Sequence, residues 1–262
     1  MRKLKRTPNY ELVLDIKRDD FIAPPRESQR NWLLNRALAE VGFDLEALHA
    51  AAVRFVPGVD YGAIGERSQT ELSDDQIMED WQIPLMQAMA AAATERHGDV
   101  LEIGFGRGVA SGFIQAFGVR SHTIVECNES VIERYHAWRA ERPRADLRLL
   151  NGRWQEVTDQ MGTYDGIFFH TYPLSDDEYV EFVVKGATFA EHFFPTAAAH
   201  LRPGGVLAYM TNEIDSLSRA HQRALLRHFK SFTVSLLPLT VPADVRDTWW
   251  ADSMALVKAE AR

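Results

Sequence analysis

From residue 99 onward, short apolar runs recur along the chain with amphipathic stretches between them. Residues 100–103, 122–125, 147–150, 164–169 and 206–210 read as buried strands. Residues 109–117, 130–141 and 182–201 carry helical spacing, and the last is stopped by Arg202-Pro203-Gly204-Gly205. This alternation predicts an α/β fold, a mostly parallel sheet with helices on both faces. The tail reads differently. Residues 232–239 and 253–258 form two strands of a hairpin, an antiparallel finish with Pro242-Ala243-Asp244 and Trp249-Trp250 between them.

Upstream, Ser73-Asp74-Asp75-Gln76 supplies an N-cap and an acidic first turn. The helix it opens carries Ile77, Met78, Trp81, Leu85, Met86 and Met89 toward one side, with a kink expected at Pro84. Residues 7–30 are polar and hold Pro8, Pro24 and Pro25, so an extended arm or strand pair is expected there. Residues 32–55 fit one or two amphipathic helices broken at Gly42. The chain thus divides into an N-terminal arm and helical cap or lid, 1–75, and a main domain, 76–262.

Composition narrows the function classes. The 262 residues suffice for a large core, and 46% hydrophobic and 25% charged residues are ordinary for a soluble domain. A net charge of −8 lacks the basic stripe of a nucleic-acid binder. No apolar run reaches membrane-spanning length, and the basic start has no signal-peptide core, so a cytoplasmic protein without nucleic-acid or membrane partners is expected. Cys127 is the only cysteine, which rules out an intrachain disulfide and a cysteine-built metal cage; no metal site is expected. The apolar N-terminal helices leave a homodimer open.

The chemistry concentrates at Val100-Leu101-Glu102-Ile103-Gly104-Phe105-Gly106-Arg107-Gly108, a strand ending in a glycine-spaced turn before a helix. Glycines there let a ligand approach the backbone and permit a tight turn. Glu126 follows about twenty residues after the first glycine, the usual place for an acid that takes ribose hydroxyls. The Glu-x-Gly-x-Gly-x-Gly spacing differs from the dinucleotide fingerprint. Its extra acid, Glu102, suits a cofactor with an ammonium group and no pyrophosphate, which points to S-adenosyl-L-methionine (SAM) over NAD.

Several separated motifs then carry a family resemblance. Glu79-Asp80-Trp81-Gln82-Ile83-Pro84-Leu85-Met86, Leu101-Glu102-Ile103-Gly104-Phe105-Gly106, Ile124-Val125-Glu126-Cys127-Asn128, Thr171-Tyr172-Pro173-Leu174, Pro203-Gly204-Gly205-Val206-Leu207 and Pro242-Ala243-Asp244 together resemble guanidinoacetate N-methyltransferase and related small-molecule arginine and guanidine methyltransferases. The likeness runs from about Ile77 to the C-terminus. It implies a Rossmann-like, seven-stranded class I methyltransferase sheet behind an N-terminal cap. It also implies that Met86, the turn Gly104, Phe105, Gly106, Arg107 and Gly108, and Glu126, Cys127, Asn128, Arg153, Trp154 and His170 surround SAM. Glu126 would hold the ribose, while Asn128 and Trp154 would flank the adenine; core packing for Trp154 and helix capping for Asn128 are the alternatives.

The acceptor side departs from the family. The two carboxylates that hold a guanidinium there correspond to Gln82 and His170 here. Gln82 carries no charge, and imidazole is near-neutral at about pH 7. Glu79, Asp80, Asp176, Asp177 and Glu213 are the nearby acids that could compensate. At about 100° per residue, Glu79 alone of the first two could turn inward beside Gln82. Met78, Trp81, Gln82, Thr171, Asn212 and Glu213 are the candidate substrate contacts, with His170 and Tyr172 the candidate catalytic pair.

These residues support a SAM-dependent N-methyltransferase of specialised metabolism acting on a small amino or guanidino compound other than guanidinoacetate. Two alternatives stay open. One is intramolecular cyclisation of SAM to azetidine-2-carboxylate with loss of methylthioadenosine; the other is a SAM-binding module without catalysis.

Overall fold

The computed structural model describes residues 71–262, apart from 143–145, 185, 212, 214–215 and 243–250. The N-terminal arm and the helices expected over 32–55 lie outside the described residues, as do Asn212, Ala243-Asp244 and Trp249-Trp250.

Seven strands form one sheet: β1 Asp99–Ile103, β2 Ser121–Glu126, β3 Leu147–Asn151, β4 Tyr164–Phe169, β5 Leu201–Thr211, β6 Ser231–Pro238 and β7 Ser253–Glu260. Their order is β3-β2-β1-β4-β5-β7-β6. The first five run parallel, and β7 inserts antiparallel between β5 and β6. The Rossmann-like class I methyltransferase sheet and its hairpin finish are therefore present. Strand order reverses at β1, whose two flanks are β2 and β4, and ligands of such sheets collect at the carboxyl ends of the strands beside that switch point.

Alternating side chains divide the core. Leu101, Ile103, Ile167, Phe169, Leu207, Tyr209 and Val257 pack on one face against α6 Phe194–His200 and α7 Arg219–His228. Val100, Phe168, Ala208 and Leu256 face the other way, against α2 Ile83–Ala93 and α3 Val109–Ala116. Helix α2 buries Leu85, Met86, Met89, Ala90 and Ala93, a stripe at helical spacing. Fully burying a side chain such as Phe168 contributes about 1.5–3 kcal/mol.

Two helical readings are corrected. The chain from residue 73 does not run as one helix kinked at Pro84. It forms α1 Asp74–Ile77, breaks at Met78 in extended backbone, makes a 3₁₀ turn Asp80–Gln82, and starts α2 with Pro84 in its first turn. Proline fits there because the first-turn N–H groups have no partner within the helix. Residues 182–201 are likewise divided into a π-helical turn Tyr179–Val184, a 3₁₀ turn Phe189–Phe193, and α6, whose first turn holds Pro195. Strand β5 begins at Leu201, ahead of the glycines. Its register with β4 slips between Tyr164 and Gly166, which accommodates Pro203 and Gly204 as an irregularity.

Candidate active site

A cleft of about 390 Å³, including its open mouth, lies over the carboxyl ends of β1, β2 and β4. Ile103 and Gly104 line it from β1, Val125, Glu126 and Cys127 from β2, and Gly152, Arg153, Trp154 and Gln155 from the turn after β3. Thr171, Tyr172, Leu174, Glu178, Phe189 and His192 complete it from the segment between β4 and β5. Strand ends thus bring together residues far apart in sequence, as the sheet topology requires.

Local chemistry fixes each wall. Gly104 holds φ +90°, and a Cβ there would run into the carbonyl oxygen of His170, so glycine is needed where β1 turns beside β4. The Glu126 carboxylate accepts backbone N–H groups from Phe105 at 3.0 Å, Cys127 at 2.8 Å and Asn128 at 2.9 Å. These bonds fix the acid at the wall of the cleft. Trp154 opens α5 Trp154–Val157 and sets its ring edge-on to Phe193, centroids 5.0 Å apart. Burial, with the Glu126 charge beside it, pushes the Cys127 thiol up to about 12, so it stays a neutral apolar wall.

The donor set fits SAM. Charged side chains lining the cleft are Glu126, Glu178 and Arg153, two carboxylates against one guanidinium. That balance repels a pyrophosphate and suits a sulfonium-bearing nucleoside, with the anchored Glu126 placed for the ribose diol. Gly104, Glu126, Cys127, Arg153 and Trp154 are the expected cofactor residues that meet in this cleft.

Several others lie elsewhere. Glu102 does not reach the cleft: it is fully buried between β1 and α3, accepts from Ser111 Oγ at 2.5 Å and lies 2.8 Å from His122 Nε2. Its place one residue before the end of β1 turns it to the helix side. Arg107 also points away. It donates to the Met78 carbonyl at 3.0 Å and to Asp80 at 2.8 Å, and lies 3.6 Å from Asp74. Arg134 bonds Asp74 and the Leu72 carbonyl, so two arginines strap residues 72–80 beside the glycine loop. Phe105 packs edge-on to Tyr135 and Trp138, and Gly108 is the N-cap of α3. Asn128 caps α4 Glu129–Ala140, its oxygen accepting from Ser130 and Val131, the alternative that the sequence left open.

Two of the expected acceptor-side residues, Met78 and Trp81, lie on the opposite face of the sheet. Met78, Trp81 and Met86 are buried in one cluster with Phe168, and the His170 ring lies edge-on to Phe168 at 6.4 Å. Met86 belongs to this apolar packing and is 1% exposed. Burial lowers the His170 pKa to about 4, so the imidazole is neutral, and no side-chain hydrogen bond engages it among the described residues. Gln82 is buried, its oxygen accepting the Glu79 N–H at 3.1 Å. Thr171 and Tyr172 line the cleft between the two faces, with Tyr172 55% exposed at the rim.

Three of the compensating acids are engaged with protein partners. The Trp81 indole donates to Glu79 at 2.8 Å, so Glu79 binds its own turn; the segment is a 3₁₀ turn, to which α-helical spacing does not apply. Asp80 pairs with Arg107. Glu213 accepts from the Ser218 N–H at 2.8 Å and from His221 Nδ1 at 2.7 Å, which removes it from the substrate contacts. Burial raises the Tyr209 pKa well above its usual value, so its phenol stays protonated and donates to His221 Nε2 at 2.5 Å. Nδ1 then carries the proton given to Glu213.

Sequence reasoning missed Gln155, Leu174, Glu178, Phe189 and His192 in the cleft. Glu178 was hidden in an acidic run, and Phe189 and His192 fell inside what read as a uniform helix. Only the break between Val184 and Phe189 turns them toward the strand ends.

The sheet order and the cleft are those of the class I, SAM-dependent methyltransferase fold. The family model described as guanidinoacetate N-methyltransferase matches residues 62–237, and the chain belongs to that family. Among curated relatives, protein arginine N-methyltransferase 2 of Eremothecium gossypii is 34% identical over 114 residues, 39% of this chain and 27% of that protein. Its Candida glabrata counterpart is 30% identical over 114 residues, with the same coverage. The matched region thus spans about a quarter of those relatives. Similar solved structures include TrmN from Thermus thermophilus, at TM-score 0.49 and 15% identity over 68% of this chain and 48% of that one. Precorrin-6y C5,15-methyltransferase from Geobacter metallireducens GS-15 has TM-score 0.49 and 12% identity over 68% and 88%.

Proposed function

We propose that this chain N-methylates a small amino or guanidino compound whose reacting nitrogen is less basic than that of guanidinoacetate. The observation that carries this reading is the neutral pair Gln82 and His170 at the family's two carboxylate positions, with burial lowering the His170 pKa to about 4. A free guanidinium keeps its proton up to a pKa above about 12 and needs carboxylates to orient it. A neutral imidazole instead accepts a hydrogen bond from an amine or ring N–H and leaves the nitrogen lone pair for attack.

SAM supplies the electrophilic methyl group. The chain's share of the work is positioning and exclusion of water. Met78, Trp81 and Phe168 share one buried apolar cluster, and the His170 ring lies edge-on to Phe168. His170 Nε2 or Nδ1 accepts the acceptor's N–H, and the proton lost on methylation passes to that imidazole or to solvent. The fungal relatives are named for protein arginine, so a guanidino nitrogen on an arginine peptide belongs among the acceptors to be tried.

A second reading is favoured by the engagement of Glu79, Asp80 and Glu213 with Trp81, Arg107 and His221. With those three acids committed, SAM itself becomes a candidate substrate, its amine closing a four-membered ring on Cγ with loss of methylthioadenosine. Mass spectrometry of the protein incubated with SAM, alone and then with amines, guanidines, amino acids and arginine peptides, separates the readings. S-adenosylhomocysteine that forms only with a given acceptor supports methyl transfer. Methylthioadenosine above background from SAM alone supports cyclisation, and neither product at saturating SAM supports a binding module.

A further inference from the structure

The cleft extends past Glu126 to two acceptors that the cofactor motifs do not include. Glu178 and His192 both line it together with Trp154, and the His192 ring centroid lies 5.4 Å from that of Trp154. The His192 tautomer is set by its neighbours. Nδ1 bonds the Phe189 carbonyl, so Nδ1 carries the proton and Nε2 is left as an acceptor. Phe182 stacks on the ring at 4.3 Å and 14°, which holds its plane. Burial lowers the His192 pKa, which favours this neutral form. Glu178 is held as an acceptor by the Leu174 N–H at 2.9 Å, with Arg153 3.8 Å away.

Building on the assignment of SAM to this cleft, we propose that Glu178 and His192 are specificity-determining residues that read the exocyclic amine of the cofactor's purine. Two acceptors beside one aromatic face match the two hydrogens of an amino group on a flat base. A 6-oxopurine would present an oxygen to both acceptors, leaving three lone-pair groups facing one another without a proton between them. The methyl acceptor's nitrogen belongs with His170, on the opposite face beside Phe168, so the amine at this end is the cofactor's own.

The test is calorimetric binding of S-adenosylhomocysteine and its 6-oxo counterpart, S-inosylhomocysteine, to the full chain. Wild type is expected to prefer the amino form by at least about tenfold. His192→Phe keeps the stacking and removes Nε2, and Glu178→Gln keeps the shape and adds a donor; each should shrink that preference toward parity, with Glu178→Gln gaining affinity for the 6-oxo ligand. Glu178 is partly exposed, so the Glu178→Gln arm stands even if the histidine variant misfolds. A preference unchanged in folded variants, or an equal loss for both ligands, overturns the proposal. Failure of wild type to bind S-adenosylhomocysteine overturns the cofactor assignment itself, a separate and visible outcome.

Discussion

The Phe105 backbone N–H donates to the Glu126 carboxylate at 3.0 Å, tying the glycine loop after β1 to the acid that ends β2. One carboxylate therefore shapes the loop and faces the cofactor cleft. Glu126→Gln replaces the charged acceptor and turns a donor toward one of the three N–H groups. Each hydrogen bond to a charged group contributes about 1.5–3 kcal/mol, so affinity for S-adenosylhomocysteine should fall about 10- to 100-fold, with a lower Tm. Calorimetry that shows unchanged affinity would remove Glu126 from the site.

Gly106 sits at φ +55°, and a Cβ there would stand 3.0 Å from Ile77 Cγ2. Gly106→Val adds a β-branched side chain in left-handed backbone and presses on the segment strapped by Arg107. Strain of about 1–3 kcal/mol in the loop should weaken S-adenosylhomocysteine binding by about 10- to 100-fold while the circular dichroism spectrum is kept. Tight binding by this variant would mean that the loop does not shape the cofactor site.

His170 links stability to pH. Its folded pKa is lowered to about 4 from 6.5, so between those values the unfolded chain takes up a proton that the native state refuses. This histidine's contribution is flat above about pH 6.5 and turns against folding as the pH drops toward about 4, by at most about 3 kcal/mol, less for partial solvation. His170→Asn should flatten that part of the slope. Urea unfolding at pH 7.5 and pH 5 checks it: an equal loss of stability in both proteins would show that His170 titrates normally.

His221 holds Glu213 and Tyr209 together with no exposure of its own side chain. His221→Ala would leave a buried phenol and a carboxylate short of partners, and should destabilise the fold by about 3 kcal/mol or more. His221→Gln, which can donate to one and accept from the other, should recover part of that. If denaturant midpoints place the two variants together, the hydrogen bonds contribute less than the ring's packing against Phe194, whose plane lies 19° from it.

Strand and helix periodicity made most of the sheet legible. Apolar runs located β1 to β4, and the antiparallel β6–β7 pair was visible as two short, largely apolar runs, the first ended by Pro238 and the second opened by Ser253. Breaks inside helices were not legible. Nothing in residues 182–201 marks the π-helical turn or the break after it, so Phe189 and His192 were not recognised as cleft residues. The site was legible where glycine and an acid sit at strand ends, as with Gly104 and Glu126. It was misread where a side chain's direction decides its role: Glu102, Arg107 and Glu213 have the right chemistry and point elsewhere.

The sequence by itself determined the α/β class, the glycine turn after β1, the acid at the end of β2, and Gln82 and His170 where the family resemblance implies carboxylates, because these depend on residue type and spacing along the chain. Tertiary structure alone decided which polar groups remain open to a ligand. A charged group's availability depends on what stands within about 3 Å of it, and those neighbours come from other elements: Ser111 for Glu102, His221 for Glu213, Asp80 for Arg107. The same long-range packing brings Glu178 and His192 beside Trp154.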